Sequence, residues 1–161
     1  MGQADELIQK VHQLTANLRP GVLDDLGLAA AIEWQLQEFQ RHTNIHVNLN
    51  SRLDDLSLDG ERAIGVFRIF QETLTNIVRH AKATRVDVSL EMRGDQLVLQ
   101  VHDDGQGISE TDKSNVKSFG LLGMQERAHL LGGTLEVQGN PQAGTTITLV
   151  IPMPGKQGSR A

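Results

Sequence analysis

Apolar residues recur along the N-terminal part of the chain with the spacing of a helix. The first stripe has intervals of four, three and four residues and consists of Leu7, Val11, Leu14 and Leu18. These intervals describe one face of a helix, which Pro20 and the following glycine would end. The sequence therefore opens with a predicted amphipathic helix.

A second helical stripe follows this break and ends near Thr43. Its apolar members are Leu28, Ile32, Leu36 and Phe39. We expect Asp24 or Asp25 to cap its N-terminus, because a carboxylate accepts hydrogen bonds from the free N–H groups there. Alternating apolar residues at positions 45, 47 and 49 then predict a half-buried strand, which a polar loop follows at residues 50–55.

A third and longer helix is predicted over residues 58–80, where the helical period is strongest. Two alternating runs, residues 86–92 and 97–101, flank a turn around Gly94 and predict an antiparallel hairpin. The pattern after the hairpin starts with a loop containing glycine and serine. It then predicts a helix at residues 121–131 and two strands at 135–138 and 146–151.

This order of elements predicts an α/β (α+β) domain, with a mixed, mostly antiparallel sheet and helices on one face. A doubly wound parallel sheet would need strands and helices to alternate throughout, and the two hairpins contradict this. The 161 residues are enough for one domain with a single core.

Composition and charge exclude several classes of function. The net charge of −5, without a Lys/Arg cluster, argues against nucleic-acid binding, which needs a basic face. There is no cysteine, so disulfides, thiolate zinc sites and cysteine nucleophiles are excluded. No apolar run is long enough to span a membrane, and the start lacks the pattern of a signal peptide. We therefore expect a cytoplasmic segment without membrane contact.

Three polar residues follow one another at intervals of four on the predicted long helix: Glu72, Asn76 and His80. Residues at this spacing project from the same side of a helix. The amide oxygen of Asn76 suits Mg²⁺, which takes one or two protein ligands and completes its shell with water and phosphate oxygens. Glu72 could order one of those waters. A solvated helix face would show the same row.

A glycine-containing motif, residues 103–107 (DDGQG), stands where the second strand of the hairpin ends. Its glycines would let a ligand approach the backbone closely. A buried Asp103 can only accept hydrogen bonds, so it would suit the exocyclic amine of adenine and disfavour guanine. A plain Asp-Gly turn would have the same residues.

Residues 120–124 (GLLGM) open a predicted helix, where free N–H groups and the helix dipole favour phosphate oxygens. The chain contains no Walker loop, so phosphate charge would be met by backbone groups, Mg²⁺ and the cations Arg79, His80 or Lys82. Thr145, after Gly144, opens the last strand; its β-propensity alone would also explain it there.

In this order, the four elements resemble the N, G1, G2 and Gly-Thr boxes of the GHKL ATPases, the superfamily of gyrase, MutL, heat-shock chaperones and histidine kinases. Residues 71–81 (QETLTNIVRHA) are similar to the N box of the sensor kinases that pair with NarL-type response regulators. Residues 120–127 (GLLGMQER) fit the same group, and residues 18–28 are similar to its junction between dimerisation helices and catalytic domain. The resemblance covers roughly residues 14–152.

The resemblance implies a Bergerat-type α/β sandwich that binds ATP and Mg²⁺. It places Asp103 on the adenine and Asn76 on the metal, with Glu72 acting on the metal through water. Glu72 and Asn76 form the implied catalytic pair, and residues 108–119 would be the lid over the ATP. The residues implied to bind nucleotide are Asn76, Arg79, His80, Asp103, Gly105, Gly107, Gly120, Leu121, Leu122, Gly123 and Thr145.

The same resemblance implies three regions: residues 1–22 as the end of a dimerisation helix with its junction, 23–153 as the catalytic domain, and 154–161 as a frayed tail. The family's acceptor box, a histidine followed by an acidic residue, is absent, and His12 lacks that context. The phosphoacceptor would therefore lie on a dimerisation and histidine-phosphotransfer domain of the same or a sister kinase chain.

A NarL-type response regulator would receive the phosphate, and the chain could be the cytoplasmic part of a membrane-anchored sensor. Two alternatives stay open on the sequence. One is another GHKL activity, an ATPase clamp or a serine kinase, in which Glu72 would activate water or a hydroxyl. The other is a non-catalytic module that senses nucleotide.

Overall fold

The computed structural model of the chain describes residues 21–52, 60–108, 120–140 and 142–153. The predicted first helix, the C-terminal tail and residues 109–119 of the predicted lid lie outside the described residues. The described elements, in chain order, are α1 (Gly21–Leu26), α2 (Leu28–Thr43), β1 (His46–Arg52), α3 (Gly60–Asn76) with a π-helical continuation (Ile77–Ala81), β2 (Arg85–Arg93), β3 (Gln96–Asp103), α4 (Leu121–Leu130), β4 (Thr134–Asn140) and β5 (Gly144–Pro152).

The start of α2 differs from the sequence prediction. Asp24 and Asp25 lie inside the short helix α1, and no side chain caps α2. The cap position belongs to Gly27, whose φ of 91° lies in a region that glycine adopts without steric strain. The predicted aspartate cap was wrong because the chain already forms a helix before this turn. The end of α2 at Thr43 is confirmed.

β1 is longer than predicted. Its last three residues, Asn50 to Arg52, pair in parallel with residues 89–91 of β2, so their assignment to a loop was wrong. β1 is an edge strand, and its last residues are solvent-exposed, so a strand can form there without apolar side chains.

The strands in the described residues form one five-stranded sheet in the order β1-β2-β3-β5-β4. Among these described strands only the β1–β2 pair is parallel, and the predicted hairpin β2–β3 is confirmed, with Gly94 in its turn at a φ of 62°. The sheet is therefore mixed and mostly antiparallel, as the order of elements predicted.

One face of the sheet carries the core. Alternate residues of β2, β3 and β5 are buried against the helices, and the other face bears mostly polar side chains, which is usual for an antiparallel sheet covered on one side. The largest fully buried side chains include Phe39, Phe67, Phe70, Leu90 and Leu149. The result is a two-layer sandwich of helices on a sheet. In the part of the chain that the structure describes, no helix is long and apolar enough to cross a membrane.

Candidate functional site

A cavity lies between α3 with its π-helical continuation and the buried face of the sheet. The space between its lining atoms is about 390 Å³, counting the part open to solvent. Its polar lining residues are Thr73, Asn76, His80, Asp103 and Thr145, and its apolar ones include Ile77, Val101, Ile108 and Ile147. An apolar slot with a few convergent polar groups fits a flat, partly polar ring system.

Asp103 is the buried acid of this cavity. Only 4% of its surface is exposed, and its Oδ1 accepts a hydrogen bond from the N–H of Gly105 over 2.8 Å. Burial raises the pKa of Asp103 above the usual 3.8, against smaller opposing effects of the Gly105 N–H, His102 and the Thr145 N–H. A buried carboxyl in an otherwise mostly apolar cavity selects a ligand that donates a hydrogen bond to it.

Two glycines allow the segments around Asp103 to approach each other. A Cβ atom on Gly105 would lie 2.1 Å from the carbonyl oxygen of Ala81, and one on Gly144 would lie 1.9 Å from the carbonyl oxygen of Asp103. Both distances are far below a possible contact. Gly105, which the family resemblance implied to bind nucleotide, does not line the cavity. Its lack of a side chain lets the loop pack closely on the helix end. Gly107 does line it, at a φ of 79°.

The helix changes its period in the middle of the predicted N box. After Asn76 the next five residues form a π-helical segment, a rare feature that often occurs at functional sites. Asn76 is 8% exposed, and both Asn76 and His80 line the cavity, as their spacing predicted. Arg79 of the same segment is exposed and does not line it. Of the three candidate cations Arg79, His80 and Lys82, the structure thus brings only His80 to the cavity.

Glu72 lies one turn before Asn76 and next to the start of α4. A Cβ atom on Gly120 would lie 2.7 Å from the Glu72 Oε1 atom, which puts this carboxylate beside the glycine. Gly120 has a φ of 63° and precedes α4, so the predicted glycine-led helix start is confirmed. Glu72 does not line the cavity itself but stands between Asn76 and the helix N-terminus.

The N-terminus of α4 is open on one side. Gly123 is exposed and has nothing within 4 Å of a Cβ position, while Leu121 is 3% exposed and belongs to the core. Leu122 is 54% exposed. Thr73 links this helix to the cavity wall, since its hydroxyl lies 3.7 Å from the Met124 sulfur. Backbone N–H groups and the helix dipole make this end suitable for phosphate oxygens.

Two residues of the DDGQG motif have roles that the sequence prediction missed. Asp104 accepts hydrogen bonds from the N–H groups of Thr84 (2.8 Å) and Arg85 (2.9 Å) at Oδ1 and from the Thr84 hydroxyl (2.7 Å) at Oδ2. These contacts tie the end of β3 to the start of β2. The Thr84 hydroxyl, with the backbone N–H groups, holds the pKa of Asp104 below 3.8. Gln106, the second missed residue, contacts the helix end. For Gln106, the only sign in the sequence was a polar residue between Gly105 and Gly107.

The described residues contain no cluster of three or more His, Cys, Asp or Glu side chains that could hold a metal. The donors near the cavity, the Asn76 amide and the Glu72 carboxylate, fit Mg²⁺ that is held mostly by phosphate and water oxygens. Three other described histidines lie outside the cavity: His46 is exposed, the His42 ring lies 3.5 Å from the Glu38 carboxylate, and the His102 ring is hydrogen-bonded to the Thr146 hydroxyl.

Comparisons with known proteins agree with this geometry. Residues 61–155 match the family described as histidine kinase-, DNA gyrase B- and HSP90-like ATPases. The oxygen sensor histidine kinase NreB of Staphylococcus carnosus (strain TM300) is 36% identical over 152 residues, which cover 94% of this chain and 44% of that protein. The chain thus spans less than half of the length of this curated relative.

Two solved structures share the fold. The histidine kinase domain of the blue-light activated histidine kinase EL346 from Erythrobacter litoralis superimposes with a TM-score of 0.67 at 25% identity, over 94% of this chain and 73% of that one. The ATP-binding domain of PrrB from Mycobacterium tuberculosis gives 0.58 at 22% identity, over 74% and 88%, and this likeness shows the fold alone. The chain belongs to the family of histidine kinase-, DNA gyrase B- and HSP90-like ATPases and has the ATP-binding domain of that family.

Proposed function

We propose that this chain is the ATP-binding catalytic domain of a two-component sensor histidine kinase. The observation that carries the proposal is the buried Asp103 at the end of a mostly apolar cavity, with Asn76 on the opposite helix. Adenine would lie against the apolar walls and donate its exocyclic N–H to the Asp103 carboxylate. Guanine has a carbonyl oxygen at that position, which would face another acceptor. Thr145, 4% exposed, borders the same space.

The phosphates would extend from the cavity toward the N-terminus of α4. The backbone N–H groups that follow Gly120, with Leu121, Leu122 and Gly123, would receive the phosphate oxygens, and His80 would supply a side-chain donor. Asn76 would hold Mg²⁺ directly and Glu72 through a water. When bound, the ion neutralises phosphate charge. Arg79 and Gly105 do not line the cavity, so any role of theirs would be at its margin or in its packing.

In this proposal the acceptor is a histidine on a dimerisation and phosphotransfer domain of the same or a sister kinase chain. Its unprotonated ring nitrogen forms a bond to the γ-phosphorus, the bond from that phosphorus to the β,γ-bridging oxygen breaks, and ADP leaves. The domain contributes mainly positioning and charge stabilisation. Phosphate would then pass to an aspartate of a response regulator, and the resemblance of residues 71–81 to one group of sensor kinases favours a regulator of the NarL type.

Nucleotide binding is tested by thermal unfolding with Mg²⁺ and ATP, ADP or GTP. Ligand at a hundred times its dissociation constant stabilises the native state by about 2.7 kcal/mol. We expect adenine nucleotides to raise the unfolding temperature, GTP to have little effect, and Asp103→Asn to lose the response. Asp95→Asn, the same change in the exposed hairpin turn, is the matched control and should respond like the wild type. No shift in any folded sample would contradict the proposal.

Phosphotransfer is tested by adding the dimerisation domain of a related sensor kinase in trans and measuring acid-labile phosphohistidine. Its formation, dependent on Asn76, is the expected result. Free phosphate or phosphoserine instead would indicate another activity of the same family. Nucleotide binding without any product would indicate a non-catalytic module.

A further inference from the structure

One residue of the loop after β3 joins three segments that border the cavity. The main-chain N–H of Gln106 donates to the carbonyl oxygen of Ala81 over 2.7 Å, and its own carbonyl oxygen accepts a hydrogen bond from the N–H of Gln142 over 2.9 Å. Its side-chain Nε2 donates to the carbonyl oxygen of His80. Gln106 thus connects its own loop to the end of the π-helical segment and to the turn between β4 and β5.

The two carbonyl groups that Gln106 contacts belong to the last turn of a helix. Carbonyl groups at this position lack a donor from their own helix, because the chain leaves the helical path. Here it leaves at Lys82, whose φ is 52°. A donor from another segment therefore fixes how the final peptide groups are oriented. For the Ala81 carbonyl this donor is the main-chain N–H of Gln106, and for the His80 carbonyl it is the side-chain amide nitrogen, because the side-chain oxygen of glutamine only accepts.

The orientation of this turn matters because His80 belongs to it. The carbonyl that Gln106 holds and the imidazole that lines the cavity are parts of the same residue. A displacement of this last turn would move the His80 Cα atom, and the ring attached to it, relative to Asn76, which lies in the regular part of the helix. We propose that Gln106 is a positioning residue that sets the place of the His80 imidazole in the cavity. The consequence for ligands rests on the proposed nucleotide site, in which His80 contacts a phosphate.

The substitution Gln106→Met isolates this contact. Methionine has a similar length and no charge, but it has no N–H to donate to His80. The two main-chain hydrogen bonds of residue 106 remain, so the loop should stay docked. Gln96→Met is the matched control, since Gln96 is exposed at the opposite end of β3, about 23 Å from Asp103 at the usual rise per residue.

The affinity for Mg-ATP is measured by calorimetry in a double-mutant cycle with His80→Ala. This second variant keeps the backbone carbonyl that Gln106 holds and removes only the ring. We expect Gln106→Met to weaken binding roughly three- to tenfold in the wild-type background, the size of one lost hydrogen bond. In the His80→Ala background the same change should weaken it less than about twofold, since the ring is already gone. Gln96→Met should bind like the wild type.

A second measurement does not depend on nucleotide. In long-range ¹H–¹⁵N spectra of the free protein, the ring resonances of His80 should move in Gln106→Met and stay in place in Gln96→Met. Unchanged ring resonances, or equal weakening of ATP binding with and without the His80 ring, would overturn the role of Gln106. A protein in which the resonances move but Mg-ATP does not bind would support the positioning contact and contradict the proposed function instead.

Discussion

The packing of the DDGQG loop on the helix end allows a quantitative prediction for Gly105→Ala. A Cβ atom at this position would lie 2.1 Å from the Ala81 carbonyl oxygen, where an ordinary contact needs at least 3.4 Å. The loop would have to retreat by more than 1 Å. This retreat would lengthen two hydrogen bonds: the one from the Gln106 N–H to the Ala81 carbonyl oxygen (2.7 Å) and the one from the Gly105 N–H to the Asp103 carboxylate (2.8 Å).

The expected loss follows from these contacts. Overpacking typically destabilises by about 1–3 kcal/mol, and each weakened hydrogen bond adds up to about 1 kcal/mol. We therefore expect Gly105→Ala to lower the free energy of unfolding by roughly 2–4 kcal/mol. For a domain of this size, that corresponds to a fall in the unfolding temperature of about 4–16 °C. The affinity for ATP should also fall, because the displaced Gly105 N–H would no longer hold the Asp103 carboxylate in place.

Urea denaturation followed by circular dichroism measures the change. Gly60→Ala is the matched control, because a Cβ there meets nothing within 4 Å and its φ is not positive. This control should be neutral or slightly stabilising, since alanine favours a helix over glycine. A Gly105→Ala protein within about 0.5 kcal/mol of the wild type, a change typical of a surface position, would refute the packing role assigned to Gly105.

Two further predictions concern the adjacent aspartates. Because the pKa of Asp103 is raised above 3.8, its charge destabilises the nucleotide-free protein at high pH, and this penalty is relieved as the pH falls through the raised pKa toward 3.8. The gain in free energy of unfolding from Asp103→Asn should therefore shrink as the pH falls, and ATP binding to the wild type should weaken over the same pH range. A stability difference between mutant and wild type that does not change with pH would contradict this. Asp104→Ala should destabilise by about 1–2 kcal/mol at neutral pH through its lost bonds to Thr84 and Arg85. Because the pKa of Asp104 is lowered in the folded protein, its ionised carboxylate stabilises the fold above pH 3.8, and this stabilisation is lost as the pH falls through the lowered pKa. Chemical denaturation at pH 7 and below pH 3.8 should therefore show a smaller loss of stability in Asp104→Ala at the lower pH.

The two aspartates illustrate how one motif combines recognition and structure. Asp103 is directed to the cavity, and Asp104, its neighbour, is directed away from it to the start of β2. Alternation along an extended chain sends successive side chains to opposite sides. The pair therefore couples the recognition of a ligand on one side of the strand end to strand pairing on the other.

The sequence by itself determined the order of elements and the order of the motifs. Helical and alternating periods are local properties, so the hairpin at Gly94, the end of α2 at Thr43 and the start of α4 after Gly120 could be predicted from spacing alone. The spacing of Asn76 and His80 likewise predicted that they share one side of the helix. The four motifs, in their order along the sequence, resemble those of one family, so the family could be identified from the sequence without coordinates.

Only the tertiary structure decided which of the motif residues border the cavity. Arg79 and Gly105 match the motifs as well as His80 and Gly107 do. In the fold, however, Arg79 is exposed to solvent and Gly105 packs against the end of the helix, so neither lines the cavity. The π-helical turn after Asn76 also had no local signal.

The physical reason is that these features depend on contacts between segments distant in the sequence. The carbonyl groups of His80 and Ala81 find their donors on Gln106, and Asp104 finds its donors on residues 84 and 85. A local pattern shows which residues can face the same side of an element, but the packing of the helix on the sheet determines what that side meets.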